Sequence, residues 1–239
     1  MNSRTLALVV LIATLTFALS PLVTPGFSGF TPDQFPVPQI DPPVQPAGYA
    51  FSIWGLIYLW LIVGAVFGVW KAANDPGWRA MRLPLALSLI IGTFWVAVAN
   101  LAPVWATVMI VVMAATAIAA MLRAGPDRPW LQVRPVAFYA GWLTAATGVA
   151  IGVVLGGYAI LSQQNAAILC LFAVLVVALA VQTARPREWG YPAAVVWGLI
   201  GVIVTNSSNS NWLVIGLAAI GAVILTFRAV LSVMKGPAR

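Results

Sequence analysis

Eight long apolar runs, separated by short hydrophilic gaps, organise the 239 residues of this chain. A hydrocarbon core about 30 Å thick is crossed by about 20 residues of helix. The runs at 5–22, 50–70, 83–100, 104–122, 135–156, 165–183, 190–205 and 212–232 come close to that length. The pattern predicts an all-α fold, a polytopic membrane helix bundle of about eight transmembrane helices with no soluble domain. The gaps at 100–103 and 206–211 leave room only for tight hairpins, so the helices flanking each are expected to pack antiparallel. The seventh run is the shortest. Without it, Arg185 and Arg187 would fall on the opposite side from the C-terminal basic residues.

Charge gives the weave a direction. Arg4 precedes the first run; Lys71, Arg79 and Arg82 follow the second; Arg123, Arg128 and Arg134 follow the fourth. Arg185 and Arg187 follow the sixth, and Arg228, Lys235 and Arg239 end the last, while the intervening gaps hold no basic residue. Loops on the cytoplasmic side are enriched in Lys and Arg, so both termini are expected there, in a membrane of the bacterial inner-membrane type. Only 7% of residues are charged, against about 25% in a typical soluble domain. The net charge of +7 therefore reads as orientation against an anionic leaflet, with membrane lipids as partners and no nucleic acid. Arg4 and the apolar stretch after it look like a signal peptide. The candidate cleavage triplet Ala18-Leu19-Ser20 is poor and is followed by Pro21, so a retained first helix is the expectation.

Small residues recur at helix-packing intervals: Gly148, Gly152 and Gly156 in the fifth run, Gly64 and Gly68 in the second. Such faces let backbones approach closely in lipid. Packing within the bundle is the favoured reading, and a homodimer seam is the other. The 21–49 gap differs from the rest. It carries Pro21, Pro25, Pro32, Pro36, Pro38, Pro42, Pro43 and Pro46, with Asp33 and Asp41. Proline fixes φ and disfavours helix in the residue before it, so an extended, stiff segment is predicted. Its Phe27, Phe30 and Phe35 favour a lid over the outer mouth of the bundle rather than an inert linker.

Catalytic chemistry finds little support. No Asp, Glu, Lys or His lies deep within a run, and such groups usually mark proton relays and ion paths. The absence of histidine removes the commonest zinc ligand and the usual haem ligand; no cofactor or metal site is expected, and no enzyme. Cys170, alone, reads as a small packing residue. Asn100, Thr144, Thr147, Gln163, Gln164, Asn165 and Asn206 supply polarity without an acid–base pair. What remains is aromatic. Of eleven tryptophans, Trp70, Trp78, Trp105, Trp130, Trp189 and Trp212 fall near run ends, where an indole anchors at the headgroup boundary. Trp54, Trp60, Trp95, Trp142 and Trp197 lie inside runs. The weave puts Tyr49, Phe51, Trp54, Tyr58 and Trp95 in the outer half, beneath the proline-rich gap, where they would line a pocket for a flat, apolar ligand.

The segment Pro46-Ala47-Gly48-Tyr49-Ala50-Phe51-Ser52-Ile53-Trp54-Gly55-Leu56-Ile57-Tyr58 resembles the second-helix opening of the tryptophan-rich sensory protein/translocator protein family, with Tyr49 where that family has its first Trp. Gly92-x-x-Trp95 is similar to the third-helix Asn-x-x-Trp with the Asn lost. Tyr139-x-x-Trp142-x-x-x-Ala146-Thr147 is similar to the fifth-helix motif, and Pro32-Asp33-Gln34-Phe35 to a loop segment that ends in Trp. The resemblance covers about residues 1–158 and implies a five-helix core with the 21–49 gap as lid; residues 159–239 would be three additional helices. It also implies binding of a tetrapyrrole such as a porphyrin or haem, or of a sterol-like or other apolar molecule, in a sensory, regulatory or transport role. The residues expected to contact it are Phe35, Tyr49, Phe51, Trp54, Tyr58, Trp95, Trp142 and Thr147. With Phe35 at the loop tryptophan's place, the family's suggested porphyrin-degrading chemistry is not expected. A small-molecule permease, with the extra helices completing a path, is the alternative.

Overall fold

The computed structural model describes residues 2–234. Eight helices follow in order: α1 Ser3–Leu19, α2 Ile53–Trp70, α3 Pro76–Leu101, α4 Pro103–Arg123, α5 Val133–Gly157, α6 Gln163–Ala184, α7 Gly190–Ser208 and α8 Trp212–Met234. With their flanking turns, all eight are long and apolar enough to cross a membrane, and no strand occurs among the described residues. The chain is an integral membrane protein. Helix α5 is the axis, packed against α4, α6 and α7; α1 lies on α3 and α2, and α8 covers α7 and α6. The tight gaps do make neighbours of α3 and α4 and of α7 and α8.

Two boundaries differ from the sequence expectation. Helix α3 starts at Pro76, not near residue 83, because Asp75 caps it by accepting the Trp78 N–H at 3.1 Å. Arg79 and Arg82 are therefore helical. The proline-rich segment, expected to be extended throughout, contains short 3-10 turns at Ser20–Leu22, Pro32–Gln34 and Gly48–Ser52. Pro32 leads its turn, where the missing N–H costs nothing, and Thr31 and Gln34 close a capping box around it.

The basic residues gather at one end of the bundle, and several have structural work there. Arg82 is 1% exposed. Its guanidinium donates to the carbonyls of Gly68 (3.0 Å), Ala72 (2.8 Å) and Ala73 (2.7 Å), and to the carbonyl and hydroxyl oxygens of Ser3 (3.0 and 2.9 Å). The last carbonyls of a helix lack intrahelical partners and carry its negative dipole end; one guanidinium thus caps α2 and ties down the start of α1. Arg185 does the same for α4, donating to the carbonyls of Met121 and, at 2.8 Å, Ala124. Arg228 bonds the Thr183 hydroxyl at the end of α6. Between α6 and α7, burial pushes the Glu188 carboxyl above its ordinary range, opposed by the Gly190 N–H, Arg134 and Arg185. Lys235 and Arg239 lie outside the described residues.

Trp78, expected at the headgroup boundary, is instead buried, with its ring against Gly68 and Phe67. Gly64 admits the Leu131 carbonyl from the segment before α5. Both small-residue faces therefore serve contacts within the chain. Replacing Arg82 with Met should leave several buried carbonyls without donors and cost about 3 kcal/mol or more; thermal unfolding of the detergent-solubilised variant checks this, and an unchanged transition would contradict it.

Candidate functional site

At the end opposite the basic residues, the proline-rich segment lies over the bundle as a lid. The reason it fits is a bed of glycines. Of the Gly148–Gly152–Gly156 stripe, Gly148 receives Val174 of α6; Gly152 receives Val44 of the lid, and Gly156 receives Gln39 of the lid beside Gln163 of α6. Gly157 takes the Phe35 ring, and Gly201 of α7 takes Pro46. A Cβ at Gly201 would stand 2.7 Å from that proline's Cβ, so any side chain there lifts the lid; one at Gly156 would stand 2.7 Å from the Gln39 amide oxygen, which must turn aside.

Hydrogen bonds fasten it along its length. Val37 N–H donates to the Gly157 carbonyl and Ala47 N–H to the Gly201 carbonyl, each at 3.0 Å. Asn206 donates to the Pro43 carbonyl (2.8 Å), Asn100 to that of Pro25 (3.1 Å), Gln34 to that of Ala99 (2.8 Å), and the Trp197 indole to that of Ala50 (2.8 Å). Irregular backbone at the mouth of a membrane bundle must find donors and acceptors in the protein. Asn100 and Asn206 are thus lid ties, a role their positions at the ends of apolar runs did not announce.

Beneath the lid the aromatic rings form one network. Phe27 meets Trp95 edge-on at 4.8 Å and Phe51 at 6.3 Å; Phe51 meets Trp142 at 5.9 Å, and Trp142 meets Trp54 at 6.1 Å. Trp54 stacks on Tyr58 at 5.4 Å, and Phe17 closes against both, at 5.7 and 5.2 Å. Edge-to-face pairs of this kind each add about 0.5–1.5 kcal/mol beyond burial. They enclose an apolar cavity of about 50 Å³, walled by Phe27, Phe30, Val44, Gln45 and Pro46 of the lid and by residues of α2 to α7.

Four of the eight expected contact residues meet in this cavity: Phe51, Trp54, Trp95 and Trp142. The other four do not line it. Tyr58 lies one turn below Trp54, in a layer with Phe17 and Tyr139. Phe35 is buried between Phe30, Tyr158 and Gly157 and holds the lid. Tyr49 is 45% exposed, edge-on to Trp197 at 5.7 Å, because the 3-10 turn at Gly48–Ser52 rotates it away from Phe51. The Thr147 hydroxyl points to the Ile110 carbonyl at a long 3.4 Å. Sequence reading missed the far wall, where Cys170, Leu171 and Val174 of α6 and Gly198, Leu199 and Val202 of α7 complete the enclosure. Nothing in those ordinary apolar turns distinguished an inward face.

Polarity in the cavity is sparse. Trp95 spends its N–H on the Ala106 carbonyl at 2.9 Å. Two atoms remain without partners: the Trp142 indole N–H, on a side chain only 2% exposed, and the Gln45 amide oxygen. An unpaired buried donor is costly, by about 1–3 kcal/mol. Among the described residues, no group of three His, Cys, Asp or Glu side chains could hold a metal.

Substituting Gly157 with Ala should force the Phe35 ring, and the lid with it, out of place. Amide exchange at Val37, whose N–H bonds Gly157, is expected to quicken by on the order of tenfold or more while that of the α5 interior stays unchanged; equal protection in both proteins would contradict the glycine-bed account.

No curated protein and no solved structure gives a significant match to this chain. A family model does, that of the TSPO-like proteins, and it matches residues 5–231, so the likeness runs through α6, α7 and most of α8 as well as the first five helices. With eight membrane-type helices around a buried aromatic cluster, the make-up is that of a membrane ligand-binding protein. The chain belongs to the TSPO-like protein family.

Proposed function

We propose that this protein binds an apolar ligand, planar in at least one part and carrying a hydrogen-bond acceptor, between the lid and the rings of Phe51, Trp54, Trp95 and Trp142. The observation that carries the reading is the unpartnered indole N–H of Trp142, a wall residue of a cavity lined almost wholly by apolar side chains. Aromatic walls supply buried area and π-face contact, and the lone donor fixes orientation. A tetrapyrrole, a sterol-like molecule or another isoprenoid with one polar group meets that description.

Size adds a condition. Pockets for drug-sized ligands run roughly 300–1,000 Å³, whereas the cavity measures about 50 Å³. A tetrapyrrole enters only if the lid lifts from its glycine bed. Binding is thereby coupled to a conformational change at one face of the membrane, and a sensory or regulatory role uses that coupling directly. The placement of Lys and Arg supports an orientation with the lid on the outer face and both termini in the cytoplasm, in a membrane of the bacterial inner-membrane type. Transport is the second reading, and the wall contributed by α6 and α7 speaks for it. The layer of Phe17, Tyr58 and Tyr139 below the cavity speaks against an open path, and a binding role is favoured.

Protoporphyrin titrated into the purified protein should quench tryptophan fluorescence saturably. Trp142→Phe keeps the ring and removes the donor, and should weaken binding about tenfold, the worth of one hydrogen bond; Trp142→Ala should weaken it further. Unaltered affinity in both variants would refute the site, and saturable uptake of the porphyrin into proteoliposomes would move the assignment to transport.

A further inference from the structure

A second cluster of rings lies at the basic end, remote from the lid. Trp130 stacks on Trp60 at 6.0 Å and meets Trp189 at 5.7 Å, and the Trp60 indole donates to the Trp130 carbonyl at 2.7 Å. The Arg134 guanidinium sits over the Trp130 ring, 4.1 Å from its centroid, and 5.5 Å from that of Trp189. Its Nε and one terminal nitrogen are buried and have no hydrogen-bond acceptor among the described residues. The nearby carboxylate, Glu188, is buried, accepts the Gly190 N–H at 3.0 Å and is shared electrostatically with Arg185.

A guanidinium desolvated on one side by indoles, with unused donors, is costly unless an acceptor arrives from outside the chain. The segments 127–134 and 185–188 carry Arg128, Arg134, Arg185 and Arg187 against Asp127 and Glu188, an excess of positive charge. Trp130 is 57% exposed. One turn further along α5, Phe138 packs on Trp60 at 5.9 Å. The surface therefore grades from cation, through indoles, to hydrocarbon along the direction in which a lipid would lie.

We propose that Arg134, Trp130, Trp60 and Trp189 form a binding site for the phosphate headgroup of an anionic phospholipid, with its acyl chain running past Phe138. The phosphate accepts from the Arg134 donors after the Trp130 ring shifts aside; arginine suits this because its planar fork pairs two donors with phosphate oxygens. The indoles hold the glycerol level, where they are most favourable. The site is independent of the aromatic cavity and of any ligand bound there.

Native mass spectrometry of protein extracted from bilayers of equal phosphatidylglycerol and phosphatidylcholine tests this. Wild type is expected to retain phosphatidylglycerol preferentially. The Arg134→Gln variant should lose about fivefold of that preference, the worth of one arginine near an anionic surface, and Arg134→Lys should keep an intermediate share. Unmodified protein gives a second measurement: dibrominated phosphatidylglycerol should quench tryptophan fluorescence more than dibrominated phosphatidylcholine at equal mole fraction. Equal quenching by the two lipids overturns the proposal even if Arg134→Gln fails to fold. So does a phosphatidylglycerol preference that Arg134→Gln leaves intact, or one that millimolar inorganic phosphate abolishes, which would mean a site for the free anion.

Discussion

The rest of the molecule is arranged around the contact between the lid backbone and the glycines of α5 and α7. Gly152, Gly156, Gly157 and Gly201 let an irregular, proline-rich segment approach two helices at distances a β-carbon would forbid. Where backbones come that close, lid N–H groups reach helix carbonyls, at the end of α5 on Gly157 and within α7 on Gly201. Proline supports the arrangement from the other side. It removes N–H donors that the mouth of the bundle could not satisfy, and it lowers the entropy lost on fastening the segment. The cavity below is what remains once rings of α1, α2, α3 and α5 and of the lid have packed against one another.

At the opposite end, basic residues finish the helices. Even-numbered helices all end on the basic side, so their C-terminal carbonyls and negative dipole ends meet there. Arg82 and Arg185 turn this into specific caps on α2 and α4. Substituting lysine would preserve orientation, but a single ammonium could not span the carbonyls that one guanidinium fork reaches. Arg134 belongs to the same set of charges yet caps nothing, and that difference gives the second aromatic cluster its interest.

The two ends of the bundle also differ in chemistry. The lid end holds an apolar cavity and an indole N–H without a partner. The basic end holds a guanidinium with unpaired donors among interfacial rings. A ligand that lifts the lid disturbs bonds to α3, α5 and α7 together, so its effect reaches the axis helix of the bundle. Lipid held at Arg134 would bear on the other end of that same helix.

Length and apolarity alone specified eight crossings, because a bilayer has one thickness and a helix one rise per residue. Lys and Arg placement specified which ends share a side. The order of Trp54, Tyr58, Trp95, Tyr139 and Trp142 pointed to the aromatic core, and these residues do meet or adjoin there. Tertiary structure alone decided which ring faces inward: a 3-10 turn sends Tyr49 outward, and a glycine bed makes Phe35 a fastening rather than a wall. It also enlisted α6 and α7, whose runs are apolar on every side, since in lipid an outward face is as hydrophobic as an inward one and periodicity cannot tell them apart.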